Sequence, residues 1–528
     1  MKALKSIFIL LMLLNVAQAR LHWIFLQDDP SRPKVVLSER AQNRIALKGQ
    51  VDQTDDLGVS PLHVELLQEL GLKIQTRSRF LNAVSAEIAS DEALNQIQDL
   101  SFVLSTRPVG SRPVRRELQS VALGRATLDD DLQYGDSYWQ NAMLGVPILH
   151  EIGYDGAGVL LALFDTGFNQ THPAFNAMDI QQSYDFVDRD DDVSTLYLSN
   201  HGDDCLSVVG GFDPGELVGP AYGASYILAR TEDVASETRI EEHNWLAAME
   251  WADSLGADII SSSLAYFDFD GTAEDYPFSA LDGKTTVVTQ AANIAASRGI
   301  LVVNSMGNEG PGVSSIWAPA DSPHILSIGA VTPDEVLANF SGRGPTADGR
   351  IKPDVVAQGT SVRMVSGEAS YKAGQGTSYS APLISGLAAL LLQAFPDLSP
   401  DSVISIFHEN GDRAGSPDND YGYGIPNIVH LFDPMEADRF LDNLTYPNPS
   451  SYDFIHLVLP HRIGGEVDQA NLYDITGRYL GELDVEQISS TTLRLEFPSG
   501  IYLADQLLIA TIQISDKLYT GKFIYIKS

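Results

Sequence analysis

The stretch GVLLALFDTG, Gly158 to Gly167, decides the fold of this 528-residue chain. Val159 to Phe164 form an unbroken apolar run that ends in the carboxylate of Asp165 and a Thr-Gly step. A strand that is apolar on both faces is one covered on both faces, so the run predicts a central strand of a parallel sheet in an α/β domain. Ligands bind at the C-terminal edge of such sheets, which makes Asp165 a candidate functional residue. A second run, GILVVNSMG from Gly299 to Gly307, repeats the pattern and delivers Asn308 within GNEGP.

Two helical patterns supply the remaining chemistry. Asn200 reads as the N-cap of a short helix running through Cys205 and Val208, with His201 in its first turn. Ser378, in GQGTSYSAP, opens the long apolar pattern SAPLISGLAALLLQAF, and Pro382 is expected in the first turn of that helix. A serine hydroxyl needs a neutral imidazole to take its proton and a carboxylate to fix the imidazole tautomer. Asp165, His201 and Ser378 supply those three groups. The side-chain amide of Asn308 and the backbone N–H of Ser378 would then be the donors for a developing oxyanion. Each motif alone is short enough to arise by chance; the argument rests on their conjunction, each beside the expected strand or helix.

The order Asp, His, Ser with these motifs resembles the subtilisin-like serine proteases, the subtilase family. The likeness continues through GPAYGASYILARTED (Gly219 to Asp233), ADIISSSLAYF (Ala257 to Phe267), FSGRGPTADGRIKPDVVAQG (Phe340 to Gly359) and DNDYGYG (Asp418 to Gly424). The resemblance implies a subtilisin-like α/β catalytic domain whose parallel sheet is flanked by helices. It implies Asp165, His201 and Ser378 as the triad, Asn308 in the oxyanion hole, and peptide-bond hydrolysis through an acyl-enzyme that requires no cofactor for its chemistry. It also implies that Ser263, Leu264 and Ala265 line an extended strand to which a protein or peptide substrate adds by β-augmentation.

The chain departs from the family pattern at several points. Where HGTH is usual it reads His201-Gly202-Asp203-Asp204, Tyr379-Ser380 stands for the commoner Met-Ala, and Ala265 for the commoner Gly. The two carboxylates either raise the His201 pKa or face solvent on the helix's first turn, and the solvated placement is the reading adopted. Cys205 is the only cysteine, so no internal disulfide forms. Proteinase-K-like members carry a cysteine at the same step, which implies a buried thiol beneath the site rather than a nucleophile. Trp317 is expected near the primary specificity pocket.

Outside the catalytic region, Lys2 and Lys5 precede the apolar run Ile7 to Val16 and then Ala17-Gln18-Ala19, the pattern of a signal peptide over residues 1–19. That run is too short for a transmembrane helix, and no later segment is continuously apolar over about twenty residues. A net charge of -36 argues against nucleic acid as a partner and suits a soluble exported protein. DFVDRDDDV, Asp185 to Val193, offers clustered oxygens of the kind structural calcium takes, but its spacing matches no calcium motif, so it reads as a solvated loop and no metal ligands are assigned.

Residues 20–116 alternate strand and helix patterns as a small α/β unit and resemble the inhibitory, folding-assisting propeptides of subtilisins, with Arg115-Arg116 marking a processing region. The peptidase domain is expected over 117–437. From 438 to 528 short alternating segments with Gly turns predict a small antiparallel β-sandwich. There TYPNP, LYDITGR, SGIY and a Lys-bearing last strand resemble the C-terminal sorting domain of type IX secretion in Bacteroidota. This implies the type IX machinery as a partner, outer-membrane translocation, and an extracellular or cell-surface location. The alternative function is a catalytically silent subtilisin fold serving as a surface binding or adhesion protein, to which only Asp203-Asp204 points. An esterase reading lacks the GxSxG elbow.

Overall fold

The computed structural model describes residues 20–50, 56–109, 133–195, 201–270 and 275–432, and then 445–446, 454–458, 467–474, 478–487, 492–497, 506–514 and 517–525. The expected signal peptide, Arg115-Arg116, Asn200, the Pro-Asn-Pro of TYPNP and both expected domain boundaries lie outside the described residues.

The N-terminal unit contains β1 (Arg20–Leu26), α1 (Glu39–Lys48), α2 (Pro61–Glu69), β2 (Ile74–Ser78), β3 (Ala83–Ile88), α3 (Asp91–Gln98) and β4 (Val103–Val109). Its four strands form one antiparallel sheet in the order β2-β3-β1-β4. Ile24, Leu26, Val84 and Ala86 pack on Val64 and Leu67 of α2. Helix α1, which the sequence reading did not anticipate, begins at Ser38, whose Oγ accepts from the Ala41 N–H.

The catalytic region is built on β5 (Leu160–Asp165), β6 (Asp179–Asp185), β7 (Ser225–Arg230), β8 (Ile259–Ser262), β9 (Leu301–Ser305), β10 (Leu326–Val331) and β11 (Val355–Gln358). These seven strands form a parallel sheet in the order β11-β10-β9-β8-β5-β7-β6. Every residue of β5 is buried, as its apolar run requires. Side chains alternate between two cores, because successive strand residues point to opposite faces. Leu161, Leu163 and Val303 face α4 (His201–Gly210) and α7 (Thr377–Ala394), whereas Leu160, Phe164 and Val302 face α5 (Ile240–Leu255) and α6 (Val287–Ser297).

Register sets the site. Phe164 lies opposite Ser262, and Ser262 opposite Asn304. The chain therefore leaves β5, β8 and β9 at one sheet edge, carrying Asp165, Ser263 and the Gly307-Asn308 step with it. A hairpin of β12 (Val362–Ser366) and β13 (Ser370–Gly374) leads directly into α7.

Near the C-terminus, strands 445–446, 454–458, 492–496 and 484–487 form one antiparallel sheet and 479–482, 467–474, 506–514 and 517–525 a second. Ile455, Leu457, Leu493 and Leu495 of the first share a core with Leu472, Leu508, Ala510 and Ile512 of the second. Among the described residues, no helix is long and apolar enough to cross a membrane.

The N-terminal sheet lies on α5. Trp23, Ala83 and Val109 join the core that contains Trp245 and Met249. Behind this apolar contact sits an ion-pair knot around Asp253, which is wholly buried in the last turn of α5. Arg44 and Arg79 from the N-terminal unit and Arg298, at 2.7 Å, all reach its carboxylate. An aspartate at a helix C-terminus opposes the helix dipole, and three guanidinium groups answer both that and its desolvation. Arg40 and Lys48 of α1 similarly hold Asp258 at the start of β8, the latter at 3.1 Å.

Candidate active site

Asp165 ends β5, and one carboxylate oxygen accepts from both the Thr166 N–H and the His201 Nδ1, each at 2.7 Å. His201 is the first residue of α4. Helix and strand approach this closely because Gly202 has no side chain: a Cβ there would stand 2.0 Å from the Gly167 carbonyl oxygen.

Ser378 is the second residue of α7, after Gly376 and Thr377. Its Oγ lies 3.4 Å from the Ser263 carbonyl, and the Ser263 hydroxyl donates to the Ser378 carbonyl at 2.7 Å. Pro382 is not in the first turn, as expected from sequence, but inside the helix. A proline at that step removes the N–H that would bond the Ser378 carbonyl four residues earlier. Ser263 and the Cys205 thiol, at 3.5 Å, satisfy that carbonyl instead.

Cys205 Sγ also lies 3.9 Å from His201 Nδ1, so one buried thiol touches both the imidazole and the serine residue. Burial pushes this thiol up to about 11, which leaves it neutral at pH 7. Burial is the largest single influence on His201 and opposes its charged form, but the Asp165 carboxylate, its hydrogen bond and the contacts with Cys205 together raise the imidazole well above its ordinary value. Asp165, His201 and Cys205 bring one nitrogen, oxygen or sulfur atom each within 4.8 Å, and these atoms are already engaged with one another.

Asn308 follows Gly307, whose φ of +92° turns the chain beyond β9. The Asn308 carbonyl oxygen accepts from the backbone N–H and the hydroxyl of Thr377, both at 3.0 Å. A backbone N–H can only donate, so this fixes the amide's orientation and turns its NH2 away from Thr377. Leu264 is held through its carbonyl by Asn304 at 2.9 Å, and Ala265 precedes Tyr266, which bridges to Ala318. Trp317 lies over Gly307, beside Asn308, and stacks on Phe267.

The acidic pair after His201 is not solvated. Asp203 accepts from the backbone N–H of Asn169 at 2.7 Å and from its side-chain amide at 2.8 Å, tying α4 to the segment that follows Asp165. Asp204 pairs with Lys372 of β13 at 2.8 Å and accepts from the Tyr379 hydroxyl at 3.4 Å. Both carboxylates turn inward because the helix start is wedged between β5's exit and the hairpin, where Asn169 and Lys372 take them up, while His201 keeps a partly exposed face. Of the acids in 185–193, Asp188, Asp190, Asp191 and Asp192 are exposed, as a solvated loop requires, and Asp185 alone turns inward. Asp185 is buried, holds Arg230 at 2.6 Å and accepts the N–H groups of Val187 and Asp188.

A family profile described as the Peptidase S8 propeptide domain of Bacteroidota matches residues 21–122. Among curated relatives, the subtilisin-like protease SBT6.1 of Arabidopsis thaliana is 29% identical over 56% of this chain, and serine protease AprX of Bacillus subtilis 30% identical over 52%. This chain spans 28% and 65% of the length of those two. Subtilisin E of Bacillus subtilis is 26% identical over 69% of this chain and 84% of its own. The profile of the subtilase family itself covers residues 156–424, more than half of the chain and the whole sheet from β5 to β11, and to that family the protein belongs.

Proposed function

We propose that the protein is a secreted serine endopeptidase made as a zymogen, with Asp165, His201 and Ser378 as its triad. The observation that carries this reading is the 2.7 Å contact between His201 Nδ1 and Asp165, on a base-bearing helix joined to Ser378 through Cys205. In the proposed reaction, His201 takes the Ser378 proton as the hydroxyl attacks the scissile carbonyl, and returns it to the leaving amine. Asp165 holds the tautomer and stabilises the imidazolium. The Asn308 NH2 and the Ser378 N–H receive the oxyanion, a role suited to an amide already oriented by Thr377. Water, activated by the same imidazole, then releases the acyl group. The segment Ser263 to Ala265 supplies the edge on which an extended peptide lies.

Residues 20–116 act as the propeptide, and the C-terminal sandwich as a type IX sorting domain, supported by the LYDITGR and SGIY segments and by its two antiparallel sheets. A truncation before Leu444 is expected to abolish export across the outer membrane; undiminished export removes the sorting role. The decisive experiment gives the propeptide-free protein and its Ser378→Ala variant an unstructured protein substrate and a fluorophosphonate probe. Cleavage and labelling by wild type alone is the expected result. A folded wild type that does neither leaves a silent binding protein as the reading.

A further inference from the structure

Two departures from the family pattern, Asp204 and Tyr379, converge with Lys372 on one place beside the candidate nucleophile and base. Asp204 follows His201 by three residues and so shares its face of α4, Lys372 lies on the hairpin that leads into Ser378, and Tyr379 comes directly after it. Asp204 Oδ2 is the common partner, 2.8 Å from the Lys372 ammonium and 3.4 Å from the Tyr379 hydroxyl. The Tyr379 ring stands 6.0 Å from the imidazole ring, centroid to centroid. The other oxygen, Oδ1, is buried with no hydrogen-bond partner among the described residues, which is costly for a carboxylate and marks the site as more than a surface ion pair.

We propose that Asp204 and Lys372 form a neutral pair that positions the catalytic imidazole: it ties the chain on both sides of Ser378 to the helix carrying His201, and it cancels the ammonium's charge beside the imidazolium. Both are positioning residues, since neither reaches the reacting atoms, and the inference rests on His201 being the general base. The charged and titratable groups around Asp204 are His201, Asp203 and Cys205 on its own helix, Lys372 on β13 and Tyr379 on α7, with Asp165 beyond the imidazole. Burial pushes Asp204 up to about 6 against the pull of Lys372, so the carboxylate is largely ionised at neutral pH.

The test is a cycle read on the acid limb of kcat/KM. In Asp204→Asn, an isosteric change, the Lys372 ammonium faces His201 without its counter-charge and disfavours the imidazolium. The limb is expected to move to lower pH by about 0.5 unit or more, the scale of one nearby charge at the effective dielectric of a partly buried site. Adding Lys372→Met removes that charge, and D204N/K372M is expected to recover at least about half of the shift. Loss of packing alone has no reason to be repaired by a second deletion. Lys372→Met by itself provides a reading that needs no catalysis. It leaves Asp204 buried without its cation, so its folded-state pKa rises, and the stability present at low pH is lost as pH climbs through that value. Its melting temperature should therefore fall, relative to wild type and to the double variant, between pH 5 and pH 9. An unmoved limb in D204N, a shift that K372M does not recover, or a K372M melting difference independent of pH each overturn the proposal. If wild type cleaves nothing, the proposed function and the positioning role that rests on it fail together, and the melting comparison still reads the Asp204–Lys372 pair.

Discussion

His201 sits between opposing influences: burial, the largest of them, favours its neutral form, while the Asp165 carboxylate at 2.7 Å and the contacts with Cys205 together favour the imidazolium and prevail. Below its folded-state pKa the ring is already protonated and cannot accept the Ser378 proton, so activity is lost as pH falls through that value. The raised imidazole predicts an acid limb of kcat/KM well above the ordinary histidine value of about 6.5. A rate profile from pH 5 to 10 on a small ester or peptide checks it, and a limb at or below 6.5 contradicts it. Asp165, His201, Ser378 and Asn308 were legible because each stands where an apolar run or helical pattern begins or ends. The inward turn of Asp203 and Asp204 was not, since a charged pair in a first helical turn ordinarily meets water. Their partners, Asn169 and Lys372, lie far away in sequence and become neighbours only when β5 and the hairpin close around α4.

Among the elements, α4 and β5 matter through the gap between them. Gly202→Ala puts a methyl group 2.0 Å from the Gly167 carbonyl oxygen, so the helix must lift from the strand and take His201 away from Asp165. Turnover is expected to fall about 100-fold or more, the scale of a misplacement of about 1 Å at a reacting group, with the fold retained. Steady-state rates beside circular dichroism test this, and a folded variant of normal rate refutes the packing argument. Strand patterns were readable at this scale because a buried parallel strand is apolar throughout. Helix α1 escaped notice because ERAQNRIALK is largely polar, and only the Ser38 cap signalled it. Its Arg40, Arg44 and Lys48 are charged for a reason visible only in the docked unit, where they meet Asp253 and Asp258. The place of Pro382 was misjudged for a related reason: the Ser378 carbonyl left open by its missing N–H accepts instead from the Ser263 hydroxyl, just after β8, and the Cys205 thiol of α4.

At the scale of the molecule, the N-terminal unit is held by a shared apolar core and by the knot at Asp253. Removing one side of a buried ion pair costs about 3–5 kcal/mol, because the remaining charge stays buried and unmatched. After proteolytic nicking between residues 110 and 132, the fragment spanning 20–109 is expected to stay bound through size-exclusion chromatography. The Arg44→Ala/Arg79→Ala variant should separate into two species under the same conditions. Equal separation of the wild-type halves excludes the knot as the fastening. This arrangement bears on when such a protein becomes active as well as on whether it does. For the propeptide proposed above, cutting the chain and releasing the unit become distinct events, with a delay between them set by how slowly two arginines leave a buried carboxylate. On that proposal latency outlasts the covalent link, and the clock ends when the cut half leaves rather than when the connecting segment is cut.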